Sequence, residues 1–206
     1  MQSRQTLPLT RRLLAAGGFA LAFGTAVAAD GVDISLAHGG PAEAQLESRL
    51  RALTSRYDLG PWTFTRRVII DRTEIPHSHP VLTLHVRHRN DDELLLSTYL
   101  HEQLHWWLAS RPKETAEAKA ALRRLYPKIP VGYPEGSSDE DGNYEHLLVI
   151  YLEYRADQAL LGEPKTREVM QFWAGDHYTW LYATVLKDRD VIGDVVRKYA
   201  LTPPGA

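Results

Sequence analysis

One segment constrains this chain more than any other: the run from Asn90 to about Ser110 is apolar on almost every side of a helix. Its apolar side chains are Leu94, Leu95, Leu96, Tyr99, Leu100, Leu104, Trp106, Trp107 and Leu108. A helix that is apolar all round is normally buried. The run therefore predicts a central helix, ended by Arg111 and Pro112, around which the rest of the domain must pack.

The middle of this helix carries the pattern H-E-x-x-H, as His101-Glu102-Gln103-Leu104-His105. Polar groups are costly inside an apolar helix, so they need a reason to be there. His101 and His105 are four residues apart, so both imidazoles face one side and can bind the same zinc ion. Glu102 lies about 100° further round the helix, where it can take a proton from a water molecule in the metal's open position. The alternative is a pair of histidines satisfied by hydrogen bonds in the core.

A second motif supplies the third zinc ligand, because a zinc ion with two histidines needs another protein ligand from elsewhere in the chain. Glu153 is predicted to be that ligand, and Asp157, one turn later, can accept a hydrogen bond from the far ring nitrogen of a zinc histidine. His146 competes with Glu153, but the two lie about 10 Å apart along one helix. Asp157 favours Glu153, and His146 is then expected to line the cleft. No cysteine is present to replace these ligands.

A group that stabilises the developing oxyanion is also expected, since zinc alone rarely supplies the whole electrostatic term. The candidates are His177 and Tyr178, which follow a predicted helix break, and Tyr144, which precedes the third-ligand motif.

The remaining patterns predict an α+β domain, mainly helical, with a small β-sheet over the HExxH helix. Asn90 and Glu93 have the spacing of a capping box at the start of that helix. Residues 127–143 form a loop that is either an ordinary surface connection or a lid over a cleft. The predicted strands are at 62–70 and 81–89, and the other predicted helices are at 41–57, 113–126, 142–161, 165–174, 177–188 and 190–200.

The first 29 residues are typical of a signal peptide: a basic stretch that ends in Arg11 and Arg12, an uncharged run, and small residues at 26–29. The arginine pair resembles a twin-arginine signal, and an ordinary secretory signal is the alternative. Residues 30–206 then form one domain that is periplasmic or secreted, with no stable membrane span after cleavage. Loss of Arg4, Arg11 and Arg12 takes the formal net charge from −2 to −5, which offers nothing to nucleic acid.

Together, the HExxH motif and the later Glu153-Tyr154-Arg155-Ala156-Asp157 resemble the gluzincin metallopeptidases, in particular the HtpX-like group and its soluble periplasmic relatives. The resemblance implies a zincin-like metallohydrolase domain that cleaves a peptide or protein substrate with Zn²⁺ as cofactor. It implies His101, His105 and Glu153 as ligands, Glu102 as general base and Asp157 beside a ligand histidine. The alternatives are a zinc amidase acting on small or cell-wall peptides, and a non-catalytic, zinc-stabilised binding or chaperone-like module.

Overall fold

The computed structural model describes residues 31–206, so the predicted signal peptide at 1–29 lies outside the described residues. Seven helices and three short strands make up this part of the chain. The strands are β1 (Asp33–Leu36), β2 (Arg67–Ile70) and β3 (Leu82–Leu84). The helices are α1 (Pro41–Arg56), α2 (Asp92–Ala109), α3 (Pro112–Leu125), α4 (Glu140–Leu161), α5 (Glu163–Asp176), α6 (Thr179–Lys187) and α7 (Arg189–Lys198).

The three strands form one parallel sheet in the order β1-β2-β3, with Ile34 beside Val68 and Val68 beside Leu82. Both predicted strands are present, but each is shorter than predicted. The chain turns into short 3₁₀ segments at Gly60–Trp62 and Val86–His88, so the alternation of residue types extended beyond the true strands. The sequence prediction did not include β1.

Helix α2 is the central helix that its apolar surface predicts, and this prediction is confirmed. It packs against β3 and α1 on one side and against α4 on the other. Leu95, Leu96, Tyr99, Leu100 and Leu104 are all buried. Helix α4 in turn contacts α3, α5, α6 and α7, so the contact between α2 and α4 lies at the centre of the domain.

The start of α2 differs from the predicted capping box. Asp91 is the N-cap residue, and its side chain accepts a hydrogen bond from the backbone N–H of Leu94 at 2.9 Å. Asn90 instead accepts a hydrogen bond from Gln45 on α1, at 2.9 Å. The asparagine therefore joins two helices, and the next acidic residue caps α2.

Hydrogen bonds from the side chain of Asn143, which is fully buried, fix the backbone of the loop between α3 and α4. The Asn143 side chain accepts from the backbone N–H of Ser137 at 2.6 Å and donates to the carbonyl of Pro130 at 2.7 Å. Further along the loop, Tyr133 lines the main cavity described below. The loop is thus a wall of that cavity. Within residues 31–206, no helix is both long and apolar enough to cross a membrane.

Candidate metal centre and its cavity

Three histidines meet where α2 crosses α4. His101 and His105 come from α2 and His146 comes from α4, and one ring nitrogen of each lies within 4.8 Å of the others. Their ring centroids are 4.9 to 5.6 Å apart. Imidazole nitrogens gathered in this way are a common ligand set for zinc.

His101 is held from behind by Glu153. Its Nδ1 lies 2.8 Å from Oε2 of Glu153, which also accepts a hydrogen bond from Tyr182 at 2.9 Å. The other carboxylate oxygen accepts from Ser97 at 2.5 Å. Burial, together with the neighbouring His105 and His177, lowers the pKa of His101 well below its usual value. The ring is therefore neutral. Burial raises the pKa of Glu153 to about 7, and in its ionised form this carboxylate accepts from Nδ1 of His101, which leaves the lone pair on Nε2.

His105 and His146 are oriented in the same way. Nδ1 of His105 lies 3.0 Å from Oε1 of Glu145, and Nδ1 of His146 lies 2.8 Å from the carbonyl oxygen of Gly142. A carbonyl oxygen only accepts, so Nδ1 of His146 carries the proton. The hydrogen bond from His105 lowers the pKa of Glu145 to about 2, so this carboxylate is ionised and also accepts. All three rings thus use Nδ1 for support and leave Nε2 for a metal.

Glu153 contacts His101 and lies outside the group of three ring nitrogens, and its role as a ligand stays a prediction. The structure groups His146, not Glu153, with His101 and His105. The physical reason is the level at which α2 crosses α4: His146 lies at the level of both α2 histidines, whereas Glu153, about 10 Å further along the axis, lies behind His101. Glu153 occupies the supporting position that the sequence analysis gave to Asp157.

Asp157 has no such contact with a histidine. Its side chain is fully buried, and neither carboxylate oxygen has a hydrogen-bond partner among residues 31–206. Ser97 has a single hydroxyl proton, and that proton is donated to Glu153. Burial and the charge of Glu153 raise the pKa of Asp157 well above its usual value, which favours the neutral acid.

Glu102 shares the cavity with the three histidines. Its carboxylate is almost completely buried, and among the described residues none forms a hydrogen bond to it. Burial and the charge of Glu153 raise the pKa of Glu102 to about 8. A carboxylate with this pKa and no fixed partner is suited to accept and return a proton near neutral pH.

The main cavity has a volume of about 720 Å³, within the range of small-molecule and substrate pockets. Seven of the nine histidines of the chain line it: His77, His85, His88, His101, His105, His146 and His177. Four of these seven histidines lie outside the group of His101, His105 and His146, and His85 is one example. Its Nδ1 accepts from the backbone N–H of Arg87 at 3.1 Å, and its Nε2 lies 3.1 Å from the carbonyl oxygen of Arg72.

His177 is oriented toward this cavity by a charged pair. Its Nδ1 lies 2.9 Å from Oδ2 of Asp176, and Arg87 donates two hydrogen bonds to the same carboxylate, one of them at 2.8 Å. These contacts leave Nε2 of His177 without a fixed partner among the described residues. His177 thus lines the same cavity as the three histidines, and its role as a helper for the oxyanion stays a prediction.

Tyr178 also lines the cavity, with its ring 4.5 Å from that of His146 and 4.8 Å from that of His177. Its backbone is left-handed, with φ of 50°, an unusual conformation for a bulky residue. Such conformations persist only where the surroundings fix them, and they are enriched at functional sites.

Tyr144 does not fit its predicted role. Its side chain is fully buried, and its hydroxyl donates to the carbonyl oxygen of Tyr126 at 2.8 Å. It does not line the main cavity. The first turn of α4 directs this side chain toward the end of α3, away from the histidines.

A second group of metal-binding residue types lies at the edge of the sheet: His38, Glu43 and Asp71. Glu43 accepts from the backbone N–H of His38 at 2.9 Å and of Arg72 at 3.1 Å. Asp71 accepts from both the backbone and the hydroxyl of Thr73. Since protein donors already occupy these carboxylates, the group joins the turn after β1 to the end of β2, and the histidine group remains the better metal site.

No family model, curated protein or solved structure matches this chain.

Glu145 is not among the site residues that the sequence predicts. Its only signal is its position beside His146, near the start of a helix that becomes fully buried one turn later. An acidic residue next to a histidine in such a helix can serve a histidine on the neighbouring helix, as it does here for His105.

Proposed function

We propose that this protein is a zinc-dependent hydrolase that cleaves peptide bonds, with His101, His105 and His146 as the metal ligands and Glu102 as the general base. One observation carries the proposal: three histidines converge with every Nδ1 held by an acceptor and every Nε2 left for a metal. A histidine satisfied by the core would have partners for both ring nitrogens, one that accepts and one that donates, whereas here no described residue forms a hydrogen bond to the Nε2 atoms.

The ligand set supports a catalytic metal over a structural one. Structural zinc sites are normally closed by four protein ligands, whereas catalytic sites have three protein ligands and an open position. Within residues 31–206, the histidine group contains three members, and it opens onto the 720 Å³ cavity. The same observation argues against a non-catalytic module held together by zinc.

The residues around the group supply the remaining chemistry. A bound zinc ion would polarise the scissile carbonyl and lower the pKa of the attacking water. Glu102 takes a proton from that water and later delivers a proton to the leaving amine. His177, held by Asp176 through Nδ1, faces the developing oxyanion with Nε2. Glu153 and Glu145 fix the ring orientations of His101 and His105.

The choice of a peptide bond rests on the resemblance of the HExxH motif to peptidases and on the size of the cavity, which admits more than a single small amide. Glu153 lies behind His101, so the proposed ligand set differs from the one that the HtpX-like resemblance implies. We therefore propose the reaction and not membership of the gluzincins.

The experiment that tests this function combines metal analysis with cleavage of a peptide library by the mature protein. We expect about one zinc ion per chain and cleavage that a chelator abolishes. Glu102→Gln is expected to retain the metal and to lower turnover by at least about two orders of magnitude, as for the loss of a general base. Glu117→Gln, at an exposed position on α3, is the matched control. Normal turnover in Glu102→Gln would rule out this mechanism.

A further inference from the structure

Two large apolar side chains line the main cavity and are nevertheless exposed. Ile75 is 77% exposed and Tyr133 is 81% exposed. Single exposed apolar residues are ordinary on a protein surface. These two differ because they line the same cavity as Glu102 and the three histidines of the candidate metal centre.

Ile75 lies in a segment that is fixed to the sheet. Two residues later, His77 pairs with Thr83 of β3: the N–H of His77 donates to the Thr83 carbonyl at 3.1 Å, and the N–H of Thr83 donates to the His77 carbonyl at 2.8 Å. This antiparallel bridge holds the backbone that carries Ile75.

Tyr133 is fixed from the opposite part of the chain. Its hydroxyl donates to the carbonyl of Asp176 at 3.4 Å, and the carbonyl of Pro134 accepts from the N–H of Thr179 at 2.9 Å. The loop is therefore attached to the end of α5 and the start of α6. Two side chains on fixed backbones lose little freedom when a ligand packs against them.

The charges of the cavity point to recognition of a side chain rather than of a chain terminus. Arg87 is the only lining Lys or Arg, and Asp176 already binds it through two hydrogen bonds. Asp176 is occupied in turn by Arg87 and His177. Arg87 and Asp176 therefore neutralise each other and offer no free charge to a substrate terminus. The remaining unpaired carboxylate of the cavity, Glu102, is assigned to the reaction, so Ile75 and Tyr133 are left to recognise a side chain.

We propose that Ile75 and Tyr133 form an apolar clamp that selects polypeptide segments carrying a large aliphatic or aromatic side chain near the bond to be cleaved. This inference rests on the proposed function and names its substrate preference. The clamp binds an internal segment of an extended chain, because the side chain of the substrate fills the space between two loops while its backbone continues in both directions.

The test uses a library of peptides with acetylated N-termini and amidated C-termini, so that no terminal charge contributes. We expect cleavage near large apolar residues. With a preferred peptide, Ile75→Ser and Tyr133→Ser should each raise KM by about tenfold and leave kcat nearly unchanged, because the clamp contributes uniform binding. Tyr133→Phe keeps the ring and should retain the preference. Val131→Ser, 51% exposed in the same loop but outside the cavity, is the matched control.

A second measurement separates the clamp from the chemistry. Zinc-loaded Glu102→Gln is applied to an array of the same blocked peptides, and binding is compared with that of the double variant Glu102→Gln, Tyr133→Ser. If Glu102→Gln binds peptides with large apolar side chains selectively and the double variant does not, the clamp is supported. This holds even if no peptide is cleaved, and only the hydrolase proposal then fails. Unchanged KM in both serine variants, an equal loss in Val131→Ser, or binding without apolar selectivity overturns the clamp.

Discussion

Nδ1 of His101 lies 2.8 Å from Oε2 of Glu153, and this contact joins α2 to α4 behind the candidate metal centre. In the proposed site this carboxylate is the acceptor that orients His101, although the sequence predicts it as a ligand. Ser97 and Tyr182 donate to the same carboxylate, so it is held on three sides. Glu153 and His146 consequently have different roles, which mutation can separate.

The first prediction distinguishes these two residues by zinc titration of metal-free protein in competition with a chelator. His146→Ala removes a ligand nitrogen and should abolish stoichiometric zinc binding. Glu153→Gln keeps the volume of the side chain but removes the charge behind His101, so affinity should fall by about 10- to 100-fold without being lost. His85→Ala is the control, because both ring nitrogens of His85 are occupied by the backbone. The reverse order of the two effects would restore Glu153 as the third ligand.

The second prediction concerns Glu145, the acceptor for His105. Glu145→Ala should weaken zinc binding by about 10- to 100-fold, because the ring of His105 loses the group that fixes its orientation. Circular dichroism should show that the fold is retained. Glu140→Gln, at an exposed position on the same helix, should leave the affinity unchanged. Equal zinc affinity in Glu145→Ala and the parent protein would mean that the contact at 3.0 Å has no part in metal binding.

The sequence predicted the centre of the fold better than its periphery, for a physical reason. The burial of α2 follows from its own composition, since a helix that is apolar on every side must be covered. Strand β1 contains only four residues, and its pairing with Arg67–Ile70 joins segments more than thirty residues apart. Local patterns carry no information about such a pairing.

The same limit applies to the choice between Glu153 and His146 as the third ligand. Spacing along α4 shows that one helix cannot easily offer both residues to one metal, and that reasoning fits the structure. Which residue lies at the level of His101 and His105 depends on where α2 crosses α4, and this is set by packing of the whole domain. The positions of His101, Glu102 and His105 relative to one another needed only the geometry of a single helix.

The third prediction concerns His177. His177→Ala should lower kcat by about two orders of magnitude with little change in KM, as for the loss of one donor to an oxyanion. His77→Ala, at another cavity-lining position, should leave kcat within a few-fold of the parent. Steady-state kinetics on a single library peptide provides the measurement. If KM rises in His177→Ala while kcat is preserved, the residue binds substrate and does not stabilise the transition state.

The last prediction concerns the stability cost of Glu102. Its pKa is about 8 in the folded, metal-free protein, against 4.5 for an ordinary glutamate. Between these two values the unfolded chain has lost the proton and the folded chain still holds it, so the folded state binds more protons. The free energy of unfolding must then decrease as pH rises from about 4.5 to about 8, and the loss is complete above pH 8.

Glu102→Gln removes this titration while keeping the shape of the side chain. Urea unfolding of the metal-free proteins at pH 5 and pH 8 should show that the variant gains stability relative to the parent at pH 8, by an amount on the order of a few kcal/mol, and gains much less at pH 5. Glu153 and Asp157 are unchanged in both proteins, so their contributions largely cancel in the comparison. An equal difference at the two pH values would show that the pKa of Glu102 is not raised in the folded protein.

Zinc should reverse the effect on stability, because a cation beside Glu102 favours its ionised form and so lowers its pKa. Binding of the metal at pH 7 should therefore release a proton that Glu102→Gln does not release, and calorimetry in buffers of different ionisation enthalpy measures that proton directly.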